Sequence, residues 1–399
     1  MSPVRRRVLA AAAVVAAVLI HVWLQWGSLF VRGFSWSSFR SYFAGDQLSY
    51  MSMVVNVSNG DFGSAEPFTQ TGTNNYPHLY YNFLGLVSRI TGISPLQAWS
   101  LGGLVAQALL VALLGVTLYL ISRRWWTALL APVPFVIGSF AVLLSDNWFT
   151  SMDSHAVLWG PFGVLFTLNG EAAALCLGAA AMLVMLLAHL RVTSRAWKVA
   201  LFALASATIG LLANIQTYSF LTTVYLASYV IGTYIIVTST RRVLLAVLSG
   251  GLVVMLFLFG PIIAADAGPL VTLAMGLVPT LPALVALVVR TKGLAVLFLG
   301  LAGLAASPQI IGTMLGILGD DPFLTYRVAS SKNLGVDWRG IVGALPLLVP
   351  LAATLVAGIR RRTALWIAYP IGAAVVWALG STNDIWGANQ EPYRFWLDL

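Results

Sequence analysis

Chemistry has few places to happen in this chain. Thirteen Asp and Glu, four His and one Cys are spread over 399 residues. Asp46 stands in Gly45-Asp46-Gln47-Leu48-Ser49-Tyr50, at the head of a helix-patterned run, where a carboxylate can take a proton or cap the helix. Asp153 and His155, in Ser151-Met152-Asp153-Ser154-His155, could pair as an acid and an orienting imidazole or contact ligand hydroxyls. Being two residues apart, they face each other only in an extended loop, and a solvated loop also explains them. Near the end of the chain, Asn389-Gln390-Glu391-Pro392-Tyr393-Arg394-Phe395 places a guanidinium among aromatics. Arg394 offers paired donors to phosphate oxygens, with Tyr393 and Glu391 beside it; an interfacial anchor formed with Trp396 is the plainer reading. Arg327, in Tyr326-Arg327, is a second phosphate candidate or an ordinary loop charge. His78, with Tyr80 and Tyr81, could line a pocket by stacking, although an aromatic belt at the membrane surface accounts for them nearly as well. Glu171 opens an apolar run, where a helix N-terminus favours negative charge. Scattered histidines and the lone Cys176 predict neither a metal site nor a disulfide, and no cofactor is required.

The elements that must carry these residues follow from composition. The chain is 59% hydrophobic and 9% charged, whereas soluble domains carry roughly a quarter charged residues. Apolar stretches of about 20 residues, each long enough to cross a hydrocarbon core, recur along its length. We expect an all-α polytopic membrane protein of about eleven spans, at roughly 8–31, 97–122, 125–145, 171–190, 196–213, 218–238, 243–264, 269–289, 294–317, 340–359 and 363–380. The first of these is too long for a signal-peptide apolar region, so a retained span is expected. A single membrane domain over 1–399 accommodates all of them. Pro279 with Pro282 in the eighth span and Pro308 in the ninth are expected to break helices at depth, as in a lipid cavity or a transporter.

Charge then orients the chain. Arg5 to Arg7, Arg123 and Arg124, Arg191 with Arg195 and Lys198, Arg241 and Arg242, Arg290 and Lys292, and Arg360 to Arg362 all fall in short loops of one parity. Such loops are cytoplasmic by the positive-inside rule. Every Asp and Glu falls on the opposite side or at its boundary. The net charge of +9 is thus a topology signal, and nucleic-acid binding is not supported. The basic turns leave no room for a nucleotide site, and no phosphate-loop or dinucleotide glycine motif is present. Function is expected on the far side, in the 33–96 loop, around 146–170 and 319–339, and in the 381–399 tail. That tail ends without a further span, which leaves room for a longer native chain.

The 33–96 loop carries the most information. Leu48, Met51 and Val55 are spaced for one face of an interfacial helix. A polar, glycine-bearing stretch follows, and Tyr76-Pro77-His78-Leu79-Tyr80-Tyr81 heads a second helix. Two amphipathic helices lying on the membrane between the first two spans are expected.

On the Gly45–Tyr50 and Tyr76–Tyr81 segments and the many-span layout with an acidic outer face, the chain resembles the GT-C superfamily of integral-membrane glycosyltransferases. The resemblance implies a sugar donor on a polyprenyl phosphate and a glycan, lipid or protein acceptor outside the cytoplasm. It also implies an acid in the first outer loop, here Asp46, as catalytic base, with an Arg stabilising the departing phosphate. Membrane lipids are the other expected partners, and with the Ala- and Val-rich composition the resemblance suggests a bacterial inner membrane. Many members have two adjacent acids where this chain has Asp46 followed by Gln47, which weighs against a metal-dependent mechanism. The competing expectation is a lipid-linked-sugar flippase or another transporter. Transporters place ionisable groups at mid-depth, where this chain has no clear charge.

Overall fold

The computed structural model describes residues 2–31, 33, 35–39, 44–63, 66–68, 70, 72–137, 164–165, 167–330 and 338–391. Asp153, His155, Tyr393 and Arg394 lie outside them. All regular structure among the described residues is helical. Nine described helical segments have the length and apolarity to cross a membrane, which makes this a multi-pass membrane protein. A bilayer interior offers no water to backbone N–H and C=O groups, so a spanning segment must satisfy them internally, as a helix does.

The helices are α1 (Pro3–Val31), α2 (Ala44–Ser58), α3 (Leu79–Thr91), α4 (Pro95–Ser122), α5 (Val133–Ile137), α6 (Gly170–Arg191), α7 (Arg195–Leu211), α8 (Thr217–Thr238), α9 (Arg242–Ala267), α10 (Pro269–Met275), α11 (Leu281–Arg290), α12 (Leu294–Leu318), α13 (Pro322–Ser330), α14 (Trp338–Arg361) and α15 (Ala364–Ser381). Local chemistry sets their ends. Ser94 and Gln97 form a reciprocal capping box on α4, with Pro95 as the first helical residue. Asn169 accepts the N–H groups of Glu171 and Ala172 to start α6. Several turn residues of the basic clusters, Arg123, Lys292 and Arg362, take left-handed backbone angles that stop their helices.

Two expectations about spans need correction. The 125–145 stretch is not one helix: it begins as a 3₁₀ helix, Trp125–Leu130, and resumes as the short α5. Pro132 and Pro134 explain the interruption, since each lacks an N–H and crowds the preceding turn. Pro308, by contrast, does not interrupt α12. The carbonyl it leaves without a rung, that of Leu304, accepts the Ser307 hydroxyl at 2.8 Å. The expected break in the eighth span is present, with α10, a 3₁₀ turn at Val278–Thr280 and α11 in succession.

The chain divides into two units, Met1–Phe220 with Leu301–Thr325, and Leu221–Gly300 with Tyr326–Leu399. In the first unit, α1, α4 and α6 enclose an apolar core around Ala17, Val111 and Cys176. Inside it, His21 Nε2 meets Gln107 Oε1 at 2.9 Å, while Gln107 Nε2 donates to the Leu165 carbonyl at 2.7 Å. In the second unit, the Tyr225 hydroxyl donates to the Leu273 carbonyl and that of Tyr229 to Gly276 at 2.7 Å, closing the carbonyl end of α10. The segment after α15 folds inward there. Trp386 is fully buried, its indole N–H donating to the Leu379 carbonyl at 2.9 Å, and Gly260 of α9 gives its backbone room.

Candidate functional site

The first unit gathers a site from the loop between α1 and α4. Helix α2 buries Gln47, Tyr50, Met51, Val54 and Val57, a stripe at i, i+3, i+4, i+7 and i+10, with Met53 buried beside it. Of the three residues expected to share one face, Met51 is buried, Val55 is half-buried and Leu48 is 56% exposed. Helix α3 packs along α2, and Gly85 makes the approach possible: a Cβ there would lie 2.6 Å from the Val57 Cβ.

Beneath these helices is an aromatic floor. Tyr50 and Tyr81 stack at 5.0 Å with their planes 8° apart, and Tyr81 stacks in turn on Trp99 at 5.8 Å. Phe68 stacks on Phe323 at 5.6 Å and meets Tyr50 edge-on. The Tyr76 hydroxyl donates to the Tyr50 hydroxyl at 2.9 Å. Burial pushes the Tyr50 phenol well above its ordinary range, helped by Tyr76, Tyr81 and the Asp46 carboxylate one turn away. Tyr81 is raised chiefly by burial as well. Both stay protonated over any working pH, so they act as neutral hydrogen-bonding groups.

Asp46 lies in the first turn of α2 and is exposed. Its neighbour Gln47 is 2% exposed, and its Oε1 accepts no hydrogen bond among the described residues. An exposed carboxylate thus adjoins a buried acceptor at the edge of the floor. A free carboxylate beside an aromatic surface can accept a proton from a hydroxyl held there.

The other expected residues divide between the units. In the first, His78 precedes α3 and its Nδ1 lies 2.6 Å from the Tyr76 carbonyl oxygen, so it stiffens the loop. Tyr81, expected to line a pocket, is 1% exposed, and its hydroxyl accepts the Gly170 N–H at 3.1 Å. Its ring belongs to the packing. Glu171, next along, is buried in the first turn of α6. In the second unit, Arg327 is half-buried in the last turn of α13. Glu391 is 3% exposed with φ of 41°. It follows a turn in which the Asn383 side chain binds both the N–H and the C=O of Gln390, at 2.8 and 3.0 Å. No group of three or more His, Cys, Asp or Glu among the described residues could hold a metal ion.

Sequence reasoning missed the polar stripe of α12. Gln309, Gly312, Thr313 and Gly316 lie at i, i+3, i+4 and i+7 and face the loop segment 72–76. Gln309 Nε2 donates to the Asn75 carbonyl at 2.6 Å and reaches Thr313 Oγ1 at 3.1 Å. The Asn75 amide rests against Gly316, where a Cβ would come within 2.8 Å of Nδ2. The readable signal was the spacing of small and polar residues in an apolar span, which marks a packing face in a membrane. Further along, buried Asp321 caps α13 through the Leu324 N–H at 3.1 Å and accepts the Thr73 N–H at 2.9 Å.

Compared with protein-family models, curated proteins and solved structures, the chain matches none.

Proposed function

We propose that this protein is a membrane glycosyltransferase that moves a sugar from a polyprenyl-phosphate donor to an acceptor hydroxyl outside the cytoplasm. The observation that carries the reading is the exposed Asp46 carboxylate at the edge of a buried aromatic floor, in the loop between the first two membrane-crossing helices. In this reading the acceptor oxygen attacks the anomeric carbon as the carbon–oxygen bond to phosphate breaks. Asp46 takes the acceptor proton, and the polyprenyl phosphate departs with the bonding pair. One base suffices because phosphate is already a good leaving group. A guanidinium would stabilise the charge gathering on it. The fold reading carries a topology with it. The basic turns face the cytoplasm of a bacterial cell, α2 and α3 lie at the outer membrane–water interface, and α14 is a further span.

The second reading, a transporter of lipid-linked sugars, draws on the break between α10 and α11, since broken helices build ion sites from free carbonyls. Here the Tyr225 and Tyr229 hydroxyls take the carbonyls of Leu273 and Gly276, which favours the enzyme.

The deciding experiment supplies the protein in nanodiscs with a panel of polyprenyl-phosphate sugars and acceptors and compares it with Asp46→Asn. Transfer by the parent, lost in a variant that still folds and binds donor, supports the assignment. Equal transfer by both removes Asp46 from the mechanism. No transfer by either, together with donor flipping across vesicles, replaces the enzyme by the transporter.

A further inference from the structure

Pro308 leaves a notch in α12, and a side chain from another helix end ties the rung beside it. Asn214, the last residue of the 3₁₀ turn Leu212–Asn214 after α7, donates from Nδ2 to the Ala305 carbonyl at 2.8 Å. Its Oδ1 accepts the Gln309 N–H at 3.2 Å. The amide therefore bridges the rung next to the one that proline deletes. Gly210, one turn earlier, has no Cβ to strike the Ala302 backbone and lets the two helices approach. Gln309, whose backbone is held by Asn214, uses its side chain to hold the Asn75 carbonyl. The next residue, Tyr76, donates to Tyr50 on the helix that carries Asp46. These are consecutive hydrogen bonds, running from the notch through the loop to α2.

We propose that the Asn214-splinted notch sets the position of the 72–76 loop, so that bending of α12 within the membrane opens or closes the loop over the Asp46 helix. The inference names a regulation of the site proposed above and rests on that reading for its purpose. The coupling stands on hydrogen bonds alone. A notch is where a helix bends at least cost, because a rung is already missing. An amide that ties both sides of the notch to a second helix selects one bend among several.

The test is hydrogen exchange followed by mass spectrometry on the full chain in nanodiscs, with no donor present. Pro308→Ala restores the missing N–H and removes the notch. Exchange within 304–309 should slow, while exchange at Thr73 to Asn75 should rise on the order of tenfold, the loss of one net hydrogen bond. Opposite signs in the two segments exclude general destabilisation, which accelerates both. Asn214→Leu should accelerate loop exchange to a similar degree, although it does not touch the loop, and combining it with Gln309→Leu should add little. If Pro308→Ala and Asn214→Leu leave exchange at 73–75 unchanged, the notch is local and the proposal fails. Because no step requires sugar transfer, that failure is distinct from failure of the enzyme reading.

Discussion

The carboxylate of Asp321 accepts the backbone N–H of Thr73 at 2.9 Å, joining two segments 248 residues apart in sequence. Its other oxygen caps α13 through Leu324, and the carboxylate lies against Gly72, where a Cβ would come within 2.9 Å of either oxygen. A buried acid is stable only when its lone pairs are filled. Asp321 takes one backbone donor on each oxygen and so pins the loop beside α12.

Removing that pin should be costly. Asp321→Ala deletes a helix cap and orphans the Thr73 N–H, at about 1–3 kcal/mol. Asp321→Asn keeps an acceptor for one of the two donors and should lose about half as much. Thermal unfolding of the purified protein in detergent tests the order; equal midpoints for the two variants and the parent would refute the pin.

Two glycines should tolerate nothing larger. Gly210→Ala would drive a Cβ into the Ala302 backbone oxygen, and Gly260→Ala would meet that of Trp386. Both atoms are backbone and cannot swing aside, so a loss of about 1–3 kcal/mol is expected for each. Gly303→Ala on α12 meets nothing within 4 Å and should be neutral or mildly stabilising. Yields of monodisperse protein and unfolding midpoints for the three variants check this contrast.

His21 and Gln107 should behave as one unit. Gln107 gives its N–H to Leu165, so its oxygen is the acceptor and His21 Nε2 carries the hydrogen between them. Gln107→Leu takes the acceptor from His21 Nε2 and one of two donors from the Leu165 carbonyl, which keeps the Leu168 N–H, at about 1–3 kcal/mol. Adding His21→Leu should recover part of that loss, with a coupling of roughly 0.6 kcal/mol or more. A double-mutant cycle that sums additively would show that the two side chains do not share a bond of consequence.

Alkaline pH should find a weak point in the aromatic floor. The Tyr50 and Tyr81 phenols are held above their unfolded value by burial. Their stabilising contribution is therefore complete below the unfolded pKa near about 10 and is lost as pH rises through the folded values. Ultraviolet titration of phenolate should show these two ionising only together with unfolding. Tyr50→Phe should flatten the alkaline fall in stability while lowering the plateau, because Tyr76 loses its hydroxyl partner. Reversible ionisation of every tyrosine near pH 10 in the folded protein would rule out the buried floor.

The proposed topology has a direct assay. Cys176 is 1% exposed and should not react with an impermeant maleimide in intact cells. Asp61→Cys, in the first loop, should label from outside. Arg241→Cys, in a basic turn, should label only after permeabilisation. The reverse pattern would invert the topology.

Long apolar runs are read from sequence because a bilayer demands helices of a set length, and Pro3–Gly27, Pro95–Ser122 and Gly170–Arg191 follow from composition alone. The helices of the first loop were also legible, and so was Asp46 at the head of one. What burial does with such a helix was not. Leu48 is exposed and Gln47 is buried, because the packing of α3 and the aromatic floor set which side of α2 is covered. The prolines show the same limit. Pro132 and Pro134 interrupt their helix and Pro308 does not, although all three delete a rung. Ser307 sits beside Pro308 in the sequence, but Asn214 is 95 residues from Gln309. Sequence alone determined that this chain lives in a membrane and where its few ionisable groups stand along it. Tertiary structure decided which of those groups are capped, stacked or left open, because those outcomes depend on hydrogen bonds and ring contacts made between distant segments.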